Sequence, residues 1–188
     1  MPSRRARYTA GTIDGREAPD YTADECVDAS RNTETLAQVT VEICNARWAG
    51  VPFRLRSGKA LGDGFRGIVV KFKPVAHLPG GFHNGAEPNL MVIGFAPETI
   101  GLSVTTNAEG DRWDLEQTTL GTELSESPIR PYGEILDGIL SGDPLLSVRG
   151  DIAEECWRIL TPVLDSWASG EVPLDEYTAG SYGPTAWN

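Results

Sequence analysis

The sequence predicts an α+β fold with a mostly antiparallel sheet and helices packed on one side. Three observations carry this. Apolar and polar residues alternate with period two in several short runs from Thr35 to about Thr119. Recurrence at spacings of three and four is confined to the last third of the chain. No strand-helix-strand alternation links the two regions, so a doubly wound parallel sheet is not expected.

Residues 1–33 are polar, with turn signals at Gly11, Asp14, Gly15 and Pro19, and only a short strand near Arg7 to Thr12 is expected there. The first strong signal is Thr35 to Cys44. Ala37, Val39, Val41 and Ile43 alternate with Gln38, Thr40 and Glu42, which argues a strand with one buried face. Gly50 and Pro52 interrupt the chain, and Phe53 and Leu55 alternate with Arg54 and Arg56 in a second strand. Ser57-Gly58 turns it. Trp48 and Phe53 flank the break and are expected to anchor the core. A third strand spans Gly67 to Lys73, where Ile68, Val70 and Phe72 share a face. Residues 74–89 are rich in proline and glycine and read as a loop. Strands follow at Leu90 to Phe95 and Gly101 to Thr106, with a further one at Trp113 to Thr119. Glu123 to Glu126 reads as a solvated acidic loop.

A helix is expected from Pro131 through Leu140, ending at Ser141-Gly142. A second starts at Asp151 as cap and ends at Gly170, with Ile152, Cys156, Ile159, Val163 and Trp167 in one stripe and a kink at Pro162. The tail from Val172 is expected to be extended. The 188 residues suffice for one domain, expected over 1–188 with a polar N-terminal segment of about 1–33.

Composition narrows the function classes. A net charge of -11 argues against nucleic acid, whose phosphates need a basic footprint. No apolar run reaches the roughly 18 residues that span a bilayer, so no membrane partner is expected. Arg4, Arg5 and Arg7 are not followed by the apolar stretch of a signal peptide. Cys26, Cys44 and Cys156 form no metal-binding spacing and read as reduced thiols, which points to the cytoplasm. No metal site is expected.

More specific are Thr33-Glu34-Thr35, then Arg47-Trp-Ala-Gly-Val-Pro-Phe53, Leu55-Arg-Ser-Gly-Lys59 and Ile68-Val-Val-Lys-Phe-Lys73. These resemble the C-terminal region of glucose-6-phosphate dehydrogenase. Arg7-Tyr8 to Asp14-Gly15, Asp137 to Asp143, Arg149 to Trp157 and Ala179-Gly-Ser-Tyr-Gly-Pro184 extend the likeness over most of the chain. The resemblance implies part of an α+β domain that carries a dimer interface and part of a sugar-phosphate pocket. It implies NADP as cofactor, although no cofactor is expected to be bound by this chain alone. The tail stops close to where the family motif stops, so missing residues are expected upstream.

The family's Rossmann domain and His-Tyr-Leu-Gly-Lys type motif have no counterpart here. No GxGxxG-like run opens a helix, and Gly62-Asp63-Gly64 reads as a turn. His77 and His83, the two histidines, fall in the Pro/Gly-rich loop and read as solvated. No catalytic residue is assigned. The resemblance places substrate binding on Lys59, whose charge suits a phosphate or hydroxyl contact. The family's second basic residue falls at Gly64, with Arg66 and Lys71 as the nearby substitutes. Its Arg and Gln fall at Gly94 and Ala96. Arg56 matches an arginine that contacts a second, structural NADP in some members, while the residue itself reads as a solvated strand arginine.

Three readings follow. The chain is the substrate and dimerisation part of an NADP-dependent sugar-phosphate dehydrogenase, inactive alone, with a Rossmann domain supplied upstream or by a separate chain. Alternatively, it is a stand-alone binding or interaction protein that kept the fold and lost the chemistry. A third reading is a new small-molecule pocket built on the old sheet. A homodimer through the sheet is expected, because a sheet lacking its covering half leaves apolar surface and unpaired edges.

Overall fold

A computed structural model describes residues 2–62, 64–124 and 131–187. Two compact units are present, residues 1–64 with 143–188 and residues 65–142.

The first unit is organised by β1 (Ser3–Thr9) and β4 (Leu36–Glu42), with the hairpin β2 (Gly11–Ile13) and β3 (Arg16–Ala18) between them in sequence. Asp14 and Gly15 both have positive φ, 49° and 76°, the backbone a tight two-residue hairpin turn requires. β5 (Pro52–Gly58) and β10 (Leu174–Thr178) complete a four-stranded sheet in the order β10-β1-β4-β5. β1 runs parallel to β10 and antiparallel to β4.

The N-terminal segment is therefore a central strand rather than a polar lead with a short strand near Arg7. Arg4 and Arg5 fit because their stems are apolar and their heads find backbone carbonyls, whereas Arg7 leaves a buried Nη1 without a hydrogen bond among the described residues. Arg5 is buried and its Nε donates to the Val172 carbonyl at 3.1 Å. The tail likewise contains a strand, and β10 flanks β1 on the side opposite β4.

β4 is buried on both faces, not one. Its even residues meet Ala6, Tyr177 and Trp187 through Leu36. Its odd residues meet helix α2 (Gly150–Ala168), where Val39 packs with Val163 and Trp167. The Trp167 indole donates to Ser3 Oγ at 3.0 Å on that same face. Thus α2 covers one side of the first sheet, and the C-terminal tail covers the other.

Only part of the α2 stripe is covered. Val163 and Trp167 are buried, while Ile152 and Cys156 are exposed. Asp151 lies inside the first turn instead of capping it. Arg149 occupies the cap position and pairs with the Asp151 carboxylate at 2.5 Å. The helix continues through Pro162 and stops at Gly170, whose φ is 78°.

The second unit is an antiparallel sheet, β6 (Gly67–Lys71), β7 (Leu90–Phe95), β8 (Glu98–Asn107) and β9 (Leu115–Glu123), paired in sequence order. Helix α1 (Pro131–Ser141) follows. Cross-strand register puts Ile68 opposite Ile93 and Ile100, and Val70 opposite Met91, Leu102 and Leu120. One face is therefore apolar. The other carries Ser103, Thr105, Gln117 and Thr119. Among its described residues this unit buries no side chain. Ile68 is 49% and Leu120 59% exposed.

Of the acidic stretch, Glu123 ends β9, whereas residues 125–130 lie outside the described residues, as does Asp63.

Candidate functional site

Lys59 follows β5 directly, where the chain leaves the sheet. Its backbone is tied at both ends: its N–H donates to the Thr35 carbonyl at 2.9 Å, and its carbonyl accepts the Tyr177 hydroxyl at 2.7 Å. The next residue, Ala60, has φ 50°, which turns the chain sharply. The lysine itself is exposed. Fixed backbone with a free side chain is what a charged group needs to meet a soluble anion.

The tie to Tyr177 belongs to a relay of hydrogen bonds. The Tyr8 N–H donates to Thr35 Oγ1 at 3.0 Å, and Thr35 Oγ1 lies 3.0 Å from the Tyr177 hydroxyl. Because that hydroxyl proton goes to the Lys59 carbonyl, Thr35 donates to the phenol oxygen. Four segments, β1, the start of β4, β10 and the end of β5, are joined in this way. Burial pushes the Tyr177 phenol above its ordinary pKa, against the lowering effect of its Thr35 bond. Tyr8 is raised as well, by burial first and then by Asp24, Tyr21 and Asp20.

Arg56 is exposed on β5, and its guanidinium also has partners in the tail. Its Nη2 donates to the Tyr182 carbonyl, and its guanidinium lies 5.9 Å from the centre of the Trp187 ring. Register places Arg4, Gln38 and Arg56 side by side across β1, β4 and β5. Arg4 approaches the same ring at 6.0 Å. The Trp187 indole donates to Asp175 Oδ2 at 2.7 Å. The three-residue row is thus a platform for the C-terminal tail, and Arg56 commits one donor to it.

Trp48 and Phe53 meet edge to face at 5.4 Å, but Trp48 is 38% exposed and neither enters the core. They brace the loop ahead of β5. In the second unit, Gly94 pairs with Gly67 and Thr99. A side chain added there would put its Cβ 2.9 Å from the Pro97 carbonyl oxygen and closer still to Thr99 Oγ1. The strand is packed for glycine at this point, so the family's arginine has no room without a local shift. Gly64 has open space around it. Arg66 and Lys71 belong to this second unit and Lys59 to the first.

His77 is exposed, as expected. His83 is exposed, as expected, but has carboxylate neighbours: its Nδ1 lies 3.0 Å from Asp114 Oδ1 and 3.8 Å from Asp111 Oδ2. The sequence gives no spacing signal for this grouping. The Tyr8-Thr35-Tyr177-Lys59 relay was equally hidden, since it joins residues far apart in the chain. No helix among the described residues is long and apolar enough to cross a membrane.

The described residues thus form an α+β chain with a backbone-clamped lysine after a strand and a docked C-terminal tail. The family model for "Glucose-6-phosphate dehydrogenase, C-terminal domain" matches residues 3–188, and the chain belongs to that family. Glucose-6-phosphate 1-dehydrogenase of Gluconobacter oxydans is 33% identical across 96% of this chain and 37% of its own length. The Mycolicibacterium smegmatis enzyme is 36% identical across 92% of this chain and 38% of its own length. A solved glucose-6-phosphate dehydrogenase in complex with its substrate glucose-6-phosphate superposes with a TM-score of 0.80 at 27% identity, covering 98% of this chain and 39% of that one. The Mycobacterium avium enzyme gives 0.72 at 30% identity, over 98% and 37%. The chain therefore spans under two fifths of these relatives.

Proposed function

We propose that this chain supplies the substrate-binding and dimerisation part of a glucose-6-phosphate dehydrogenase and does not oxidise sugar by itself. The observation that carries the reading is the Lys59 clamp: an exposed ammonium on a backbone fixed by Thr35 and Tyr177. In this reading Lys59 holds an oxygen of glucose 6-phosphate by charge-assisted hydrogen bonding. Hydride transfer to NADP further needs a dinucleotide site and a base for the sugar hydroxyl proton. Neither motif occurs in these 188 residues, so both would come from an upstream segment or a separate Rossmann-domain chain. Arg56 would offer its remaining N–H donors to a second NADP, at the edge of the Trp187 platform.

Dimerisation rests on the second sheet. Its apolar face, led by Ile68, Val70 and Leu120, is open, and a copy of the same face is a self-complementary cover. A cytoplasmic location is the reading that three exposed cysteines without a disulfide or a metal-binding spacing support.

Gly94 favours a second reading, a binding or interaction protein that kept the fold but lost the sugar-phosphate site, because a side chain in the place of the family's arginine would need a local shift of Thr99 and the Pro97 carbonyl. The discriminating assay follows NADPH absorbance after mixing purified protein, NADP and glucose 6-phosphate. The first reading expects none from the chain alone and recovery when a Rossmann-domain half is added. Turnover by the chain alone would overturn the claim of dependence, and no recovery with the added half favours the second reading.

A further inference from the structure

We propose that His83, Asp111 and Asp114 form a binding site for a divalent transition-metal ion, independent of the sugar-phosphate reading. The three residues come from two separate segments, the Pro/Gly-rich loop before β7 and the turn joining β8 to β9. Backbone contacts fix both. The His83 N–H donates to the Trp113 carbonyl at 3.0 Å, and Asn84 Nδ2 donates to the Leu115 carbonyl at 3.1 Å. The Ala108 N–H donates to the Asp114 carbonyl at 2.8 Å, and the Asp114 N–H to the Asp111 carbonyl at 3.1 Å. Phe82 packs edge to face on Trp113 at 5.7 Å, which holds the two segments together beneath the polar groups.

The chemistry of the set distinguishes it from a chance acidic patch. One imidazole nitrogen faces two carboxylates. His83 Nδ1 can donate its proton to only one of them, and Asp114 at 3.0 Å is the closer. Asp111 uses Oδ1 to accept the Trp113 N–H at 2.8 Å, and its Oδ2 points at the same imidazole nitrogen from 3.8 Å. The candidate ligand atoms all lie within 4.8 Å of one another. Two ligands bound at about 2.1 Å to one ion stand roughly 3.0 to 4 Å apart as the angle between them opens from a right angle. The two nitrogen–oxygen separations fall in that window. A metal ion would replace the Nδ1 proton, leave Nε2–H toward solvent and neutralise both carboxylates.

Imidazole nitrogen beside two carboxylates suits Zn²⁺ or Ni²⁺, not a purely oxygen-seeking ion such as Ca²⁺. The side chains are partly exposed, which leaves positions for water or an external ligand. Arg112, next in the chain to Asp111, lies over the Trp113 ring at 5.3 Å, and among the described ion pairs it joins neither aspartate.

The test is calorimetric titration of the full chain with Zn²⁺, and separately Ni²⁺, after alkylation of the three exposed thiols, which would otherwise take the metal. One saturable equivalent is expected, weakened about tenfold or more in His83→Ala and in Asp111→Asn. Asp111→Asn keeps an oxygen for the Trp113 N–H, so it guards against a folding defect in His83→Ala. Binding in His77→Ala is expected to match wild type. No saturable binding of either ion, or equal binding in both site variants, overturns the assignment.

Discussion

Removing a single hydroxyl, in Tyr177→Phe, tests how the backbone around Lys59 is held. The phenol donates to the Lys59 carbonyl at 2.7 Å and lies 3.0 Å from Thr35 Oγ1. The residue is buried, at 4% exposure, so the ring would stay in the core and only the hydroxyl's contacts to Thr35 and the Lys59 carbonyl would go. Each net hydrogen bond contributes about 0.5–1.5 kcal/mol, and a stranded partner adds to the loss when water cannot reach it. Lys59 is exposed and its carbonyl can rehydrate, whereas Thr35 is half-buried. A loss of about 2 kcal/mol is expected, or a Tm lower by roughly 4–8 °C for a chain of this size. Urea unfolding followed by tryptophan fluorescence measures it as a shift in midpoint at unchanged slope. The pH dependence adds a second check. Because the folded-state pKa of Tyr177 is raised, the phenol's contribution is complete below its unfolded value near 10 and declines as pH rises through the folded value. The gap between wild type and Tyr177→Phe should therefore narrow above about pH 10. A difference below about 0.5 kcal/mol at neutral pH would refute the clamp.

Trp167→Ala empties the contact between α2 and β4 and should cost about 3–5 kcal/mol by denaturant unfolding. Arg56→Ala releases the Tyr182 carbonyl and one side of the Trp187 platform, so limited proteolysis should cut the tail after Thr178 faster while β4 and β5 stay protected. Gly183→Ala places a side chain at φ 98°, 3.0 Å from Leu36 Cδ2, and should destabilise by more than about 1 kcal/mol. Leu120→Glu puts a charge on the open apolar face and should shift light scattering from dimer to monomer at micromolar concentration; a wild-type monomer would remove the case for that interface.

Local patterns carried much of the fold. Alternation of apolar and polar residues located β4 and β5, and the apolar run from Leu90 to Phe95 located β7. Proline, serine and glycine located α1, and Gly170 located the end of α2. The run from Arg47 to Lys59 carried the family. The errors arose where partners are distant in the chain. Residues 1–33 read as a polar lead with a short strand near Arg7 to Thr12, because the Val172 carbonyl and the Trp187 ring that meet Arg5 and Arg4 are supplied from the far C-terminus. The parallel pairing of β1 with β10 has no local signature at all. Alternation also cannot say whether an apolar face is covered: the β6–β9 sheet has the pattern of a half-buried sheet and stands open among the described residues. At the candidate site, Lys59 was legible as a residue, but the relay that fixes it and the meeting of His83 with Asp111 and Asp114 were not.

Calorimetric titration with glucose 6-phosphate tests the central proposal most directly. Lys59 on its clamped backbone predicts saturable binding to this chain that disappears in Lys59→Ala, with the fold unchanged by circular dichroism. Absence of binding at millimolar sugar, or equal binding in Lys59→Ala, would contradict it.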